Sequence, residues 1–306
     1  MSEDFSVLIP AHGSCEYIEQ TLASICVSSV LPDEVIIVDD GITEQAKVSI
    51  LNFSPQLLLA IHPNNGTGLV DALNTGVKMC KSTFIARLDA DDVVTKDRFL
   101  LQLKSMCSDP EIAVLGGQVQ YIDASGDLLG KSNYFSGPLN DLREFKTKCL
   151  IAHPSAMIRR ESLLEVGGYR SICRKGRTDI AEDFDLWLRI SRVGKVCNLD
   201  SIILLYRQHS NQLSAKYTPE QLFSTRYVSL VNVASVTNPF FEVKRLSLNL
   251  HKIDFLIDAY KSLAPYVDRK KRLVLVLEGS LISMGISNGF FARIIRKLIR
   301  VIQKSL

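Results

Sequence analysis

Thr83-Phe84-Ile85-Ala86-Arg87-Leu88-Asp89-Ala90-Asp91-Asp92 is a β-prone run that ends in a crowd of carboxylates. Downstream, Thr95 stands where an N-cap belongs, and Phe99, Leu100, Leu103 and Met106 recur at roughly helical spacing. The acids therefore occupy a turn leaving a buried strand, at the carboxyl edge of a sheet, where α/β folds place their ligands. Like charges that close repel one another. A divalent cation such as Mg²⁺ or Mn²⁺, held by oxygens from two of them, would offset that repulsion, because hard cations select carboxylate oxygens. The other reading of the same residues is a solvated turn whose acids cap the next helix and favour its dipole.

Working outward toward the start, strand-like and helical runs alternate. Phe5 to Ile9, Glu34 to Val38, Leu57 to Ile61 and Thr83 to Leu88 read as strands; Tyr17 to Val27, Thr43 to Leu51 and Leu69 to Met79 read as helices. Apolar strands alternating with helices predict a mostly parallel sheet covered on both faces. Each strand ends in polar residues: Pro10-Ala11-His12, Asp39-Asp40-Gly41, His62 to Gly66, and Asp89 to Asp92. Along one edge of a parallel sheet, those ends make a site.

Beyond the acidic run the pattern is mixed. Ala113 to Val119 reads as a strand, and Tyr121 to Ser132 as a hairpin turning at Ser125-Gly126-Asp127. Pro138 to Cys149 predicts a short helix and Ala156 to Ile158 a short strand, before the break at Gly167-Gly168-Tyr169. Asp179 to Val193 reads as a helix, and Val196 to Leu199 and Ile202 to Tyr206 as the last two strands. After Tyr217 the chain reads as helices, and its longest apolar run, Leu273 to Ser287, is shorter than the roughly 20 residues of a membrane span.

Composition fits an ordinary globular protein: 306 residues, 46% hydrophobic and 23% charged, enough for one large domain or two smaller ones. The 7 cysteines form no Cys-x-x-Cys pair, and an odd total argues against a disulfide framework. Read as reduced and structural, they suggest the cytoplasm, and MSEDFSVLIP, with no basic region ahead of its short apolar run, reads as a first strand and not a signal peptide. Charge is asymmetric. Net charge is +3, but residues 266–306 hold 9 Lys/Arg against 2 Asp/Glu, so the body is mildly acidic. Phe290, Phe291, Ile294, Ile295, Leu298 and Ile299 interleave with Arg293, Arg296, Lys297 and Arg300. A basic amphipathic helix of this kind suits peripheral contact with an anionic membrane, or packs its apolar face on the body. An acidic body without a recognised binding motif excludes nucleic acid as the expected partner.

In Glu182-Asp183-Phe184-Asp185-Leu186-Trp187-Leu188-Arg189, the first helical turn would favour an ionised Asp183, as a general base requires. Trp187 lies four residues on, an apolar ring beside a carboxylate and a platform for a sugar. The plainer reading is an amphipathic helix with a core tryptophan. Asp185 and Arg189 share the spacing of a surface ion pair. His209 can complete a carboxylate metal site, Arg207 can bind phosphate, and His153 is a second candidate histidine.

Taken together, VLIPAHGSCEYIEQTLASI, EVIIVDDG, NNGTGLVDALNTGV, LDADD, HPSAMIRR, GGY, AEDFDLWLRI and LLYRQHSNQLS resemble the successive blocks of glycosyltransferase family 2, in order, over about residues 5–215. The resemblance implies a GT-A, Rossmann-like catalytic domain over 1–216. Its nucleotide-sugar-binding part would span about 1–118 and its acceptor-binding part about 119–216, with a helical, basic C-terminal extension over 217–306. It implies a nucleotide-diphosphate-sugar donor, a divalent cation and inversion at the anomeric carbon. Pro10, His12 and Asp39 would line the nucleobase and ribose pocket with Asp40 nearby. Asp89 and Asp91 would form the DxD pair with Asp92 behind them, and Asp183 would be the base with Glu182 beside it. Arg207 and His209 would close over the diphosphate. Gly13 stands where relatives usually have Asn, and Arg170 where they usually have Asp or Asn.

The expected activity is that of a hexosyltransferase extending a lipid-linked glycan in envelope polysaccharide or lipopolysaccharide synthesis, at the cytoplasmic face of the inner membrane. A nucleotidyltransferase on a similar sheet, and a non-catalytic sugar-nucleotide-binding protein at the membrane, are the alternatives.

Overall fold

The computed structural model describes residues 4–138, 151–171 and 181–209. The chain divides into two compact units: Met1–Phe145 with Cys149–Arg170 and Leu186–Gln212, and Lys146–Lys148 with Ser171–Asp185 and Leu213–Leu306.

The first unit begins with β1 (Phe5–Gly13), α1 (Ile18–Cys26), β2 (Glu34–Ile42), α2 (Glu44–Leu51), β3 (Leu59–Pro63), α3 (Leu69–Met79) and β4 (Phe84–Arg87). Val35, Ile36, Ile37 and Val38 of β2 are all buried, as expected of a strand covered on both faces. Thr43 caps α2 by accepting from the Ala46 amide at 3.2 Å. On α3, Val70, Leu73 and Val77 turn inward with Gly76, where a Cβ would overlap the Cδ1 of Leu8 on β1. Gly76→Ala gains helix propensity but overfills a closed contact. The expected net loss is about 1–2 kcal/mol, read from the urea midpoint.

Then follow β5 (Val93–Val94), α4 (Arg98–Ser108), β6 (Ile112–Ile122), β7 (Leu128–Lys131), β8 (Gly137–Pro138), β9 (Met157–Arg159), α5 (Arg160–Glu165), α6 (Glu182–Ile190) and β10 (Lys195–Arg207). The sheet runs β3-β2-β1-β4-β9-β6-β10-β5, with β7 on β6 and β8 on β10. β3, β2, β1 and β4 pair in parallel, as do β6 and β10; β9 is antiparallel to both neighbours. This is an α/β fold in which the parallel run from β3 to β4 is the portion expected from the alternating pattern.

Several local expectations change. Thr95 does not cap α4: Asp97 holds the N-cap position without a side-chain cap bond, and the Thr95 hydroxyl reaches the Ile202 carbonyl at 3.4 Å. Val93 and Val94 pair with Leu204 and Leu205, so a strand separates the acids from the helix and the acids do not cap it. The two expected final strands are one, β10, with register shifts around Leu199–Leu204 that let it bend. The α5 turn was not anticipated. The expected helix over 138–149 falls, beyond Pro138, outside the described residues, as do the helices over 217–306 and the basic segment 266–306.

Candidate active site

Register aligns Ala11 with Asp39 and Asp39 with Pro63, so the ends of β1, β2 and β3 lie side by side. β4 joins that edge, Leu8 pairing with Arg87. Immediately beyond β4, ligand-capable oxygens of Asp89, Asp91 and Asp92 lie within 4.8 Å of one another.

The surroundings of these acids differ. Arg87, buried at the end of the apolar strand, places Nη2 2.6 Å from the Asp89 carboxylate. Asp91 receives His209 Nε2 at 2.8 Å. Asp92 is fully buried; its Oδ1 accepts the Arg207 amide at 2.8 Å, while its buried Oδ2 has no hydrogen-bond partner. Burial, with Asp89 and Asp91 adding repulsion, pushes the Asp92 carboxyl well above the usual range. Beneath the turn, Arg98 donates to the Arg87 carbonyl at 2.8 Å, and burial lowers its guanidinium to about 9 against the pull of Asp92. A concentration of negative charge, held from below by two buried guanidinium groups and carrying an orphaned carboxylate oxygen, suits a divalent cation.

Arg207, expected to close over a diphosphate, lies buried against protein. It is 1% exposed, and its guanidinium is spent on protein: Asp91 O at 2.9 Å, Asp123 O at 3.2 Å, Ala124 O at 3.1 Å and Gln20 Oε1 at 2.7 Å. It ties the acid turn to α1 and to the β6–β7 turn. Arg207→Leu is expected to destabilise the chain by about 3–5 kcal/mol, measured by urea unfolding, because it leaves several buried acceptors without their donor.

On the neighbouring strand ends, Asp39 accepts the Gly41 and Ile42 amides at 2.9 and 2.8 Å and pairs with Lys47 at 3.3 Å. Burial opposes its charge, yet those amides and Lys47 hold the carboxyl below the usual range. Asp40 accepts from Asn64 Nδ2 at 2.7 Å and the Gly68 amide at 3.1 Å, so it fastens the loop entering α3. His12 is exposed and donates from Nδ1 to the Asp40 carbonyl. Pro10 stands half-buried on β1 beside Val38.

A family model described as "Glycosyl transferase family 2" matches residues 6–167, more than half of the chain. The chain belongs to glycosyltransferase family 2. Among its relatives, the amylovoran biosynthesis glycosyltransferase AmsE of Erwinia amylovora is 31% identical over 69% of this chain and 79% of its own length. An Escherichia coli UDP-Gal:alpha-D-GlcNAc-diphosphoundecaprenol beta-1,3-galactosyltransferase is 28% identical over 66% of this chain and 73% of its own. S. aureus TarS 1–349, solved in complex with UDP-GlcNAc, aligns with a TM-score of 0.63 at 17% identity, covering 97% of this chain and 91% of that one. Its likeness shows a shared GT-A fold.

The remaining family blocks then find their places. Gly167 and Gly168 adopt φ of +78° and +70°, which glycine tolerates. They present Tyr169 to Asn74, whose side chain grips the Tyr169 amide and carbonyl, both at 2.9 Å. The Tyr169 hydroxyl meets buried His153 Nε2 at 3.0 Å, and Trp187 lies edge-on to that imidazole at 5.8 Å. Trp187 is fully buried and its Nε1 has no hydrogen-bond partner, so it is a core residue and not a sugar platform. Asp185 and Arg189, expected at the surface, are buried too, and Arg189 donates to the Val166 carbonyl at 2.8 Å.

Asp183 and Glu182 occupy the first turn of α6 in the second unit, and Asp183 Oδ1 accepts the Phe184 amide at 2.7 Å. Arg87, Arg98, Tyr17 and Gln20 escaped the sequence reading. Arg87 left a signal, a charge inside an otherwise apolar strand. The others left none, since Tyr17 and Gln20 look like ordinary positions of an amphipathic helix. Among the described residues no helix is long and apolar enough to cross a membrane.

Proposed function

We propose that this enzyme is an inverting, divalent-cation-dependent hexosyltransferase that moves a sugar from a nucleoside-diphosphate donor to a hydroxyl of a lipid-linked glycan. The reading rests above all on the acid turn, with its buried Asp92 oxygen left without a partner. Asp91, Asp89 and His209 would hold Mg²⁺ or Mn²⁺. When bound, the cation offsets the negative charge of a departing nucleoside diphosphate.

The chain's own residues carry the rest. The parallel strand ends at Pro10, His12 and Asp39 offer a shelf for nucleobase and ribose, with Asp40 setting the shape of the adjoining loop. Asp183, at a helix N-terminus that favours its ionised form, would take the proton of the acceptor hydroxyl as that oxygen attacks the anomeric carbon. Glu182 adjoins it. Attack opposite the leaving group inverts that centre in a single displacement, through an oxocarbenium-like transition state.

The undecaprenol-linked acceptor of the Escherichia coli relative and the amylovoran pathway of AmsE support an envelope glycan as product. Work on such an acceptor would suit an enzyme at the cytoplasmic face of the inner membrane. The basic segment 266–306 is the proposed peripheral contact with anionic lipid.

A binding screen across UDP-, GDP- and dTDP-sugars with Mn²⁺ tests the donor site. One class should bind the parent and not Asp91→Ala; equal binding to both refutes the site. Product analysis tests the reaction. Free nucleoside diphosphate supports glycosyl transfer, and pyrophosphate would identify a nucleotidyltransferase instead.

A further inference from the structure

Tyr17 closes the loop between β1 and α1, yet its half-buried ring belongs to neither element's packing alone. One face covers the Arg207 guanidinium, whose Cζ lies 4.2 Å from the ring centroid. The same ring lies 5.6 Å from the His209 imidazole, inclined by 41°. His209 in turn reaches the Asp91 carboxylate at 2.8 Å. Gln20, one helical turn along from Tyr17, accepts from Arg207 as well.

These contacts have an order. Arg207 is fixed by carbonyls of Asp91, Asp123 and Ala124, so it forms a rigid floor for the aromatic ring. The chain leaves β10 at Arg207, is held once more through the Gln208 amide on the Ile122 carbonyl at 2.8 Å, and reaches His209. His209 thus stands two residues past the end of β10, with its imidazole between the Asp91 carboxylate and the Tyr17 ring. The Tyr17 ring, itself seated on Arg207, bounds the orientation of the imidazole on one side.

We propose that Tyr17 is a positioning residue: seated on Arg207, it sets the His209 ring against Asp91 and so prearranges the cation site. The inference deepens the reading of Asp91 and His209 as cation ligands and rests on it. Neighbours that orient a metal-ligating histidine typically govern roughly 10–100-fold in metal affinity. Because the ring face makes both contacts, phenylalanine should serve nearly as well as tyrosine.

The test is Mn²⁺ binding to the full-length chain without donor, followed by the electron paramagnetic resonance of free Mn²⁺. Tyr17→Leu should weaken binding roughly 10–100-fold, and Tyr17→Phe should recover most of the loss. In a His209→Ala background, Tyr17→Leu should make no further difference, because its effect runs through the imidazole. Tyr17→Leu with unchanged affinity, or an equal loss with and without His209, overturns the proposal. A parent chain that binds no Mn²⁺ overturns the cation site itself and the Tyr17 role with it. A parent that binds while Tyr17→Leu binds equally defeats the Tyr17 role alone. Should Tyr17→Leu fail to fold, Tyr17→Met, which keeps volume without an aromatic face, takes its place under the same criteria.

Discussion

Asp91→Ala is expected to abolish Mn²⁺ binding and to lower kcat about 10³-fold, the scale seen when charge stabilisation at a leaving oxyanion is lost. The fold should survive, since the Asp91 side chain is 23% exposed and its removal leaves the Arg207 network standing. Equilibrium Mn²⁺ binding and steady-state turnover, each beside a thermal melt, check this. Turnover within tenfold of the parent would exclude Asp91 as a ligand. The same turn has a pH signature. Burial raises Asp92 above its unfolded value, so the metal-free folded state holds a proton that the unfolded chain releases. The stability this site contributes is therefore full at low pH and falls as pH rises through the folded value. A cation requires deprotonated ligands, so Mn²⁺ should raise the melting temperature more at pH 8 than at pH 5. The opposite trend would show that these acids do not act as a group.

Asp183→Asn carries the second large effect. Amide for carboxylate is nearly isosteric and keeps an oxygen to accept the Phe184 amide, so α6 should begin as before. What it loses is the base of the proposed mechanism. Removing a general base typically lowers turnover by roughly 10²–10⁴-fold. Donor and Mn²⁺ affinity should stay at the parent's level, separating proton transfer from binding. Retained turnover would return Asp183 to the role of a first-turn acid that complements the helix dipole.

Much of this arrangement was legible in the residues. The order from β1 to β4 follows from apolar runs of two periodicities, and α3 spans Leu69–Met79 as its spacing indicates. Eight family blocks in sequence order imply the GT-A fold. The misreadings share a cause. Thr95 has the chemistry of a cap, but pairing of Val93 and Val94 with β10 delays the helix to Arg98. Trp187 and Arg207 have the chemistry of substrate contacts, but burial turns both inward. Local propensity cannot register a partner far away in the chain, and Arg207 meets Gln20 across 187 residues.

Sequence alone determined the α/β class, the family and the acidic turn at the end of β4, because each is written in neighbouring residues: periodicity, strand-end chemistry and short blocks. Tertiary structure decided which of those acids is buried, that Arg87 pairs with Asp89, and that Arg207 braces the turn through the Asp91 carbonyl. The physical reason is desolvation. The charge a side chain can carry, and whether it is available to a ligand, depend on what surrounds it in three dimensions.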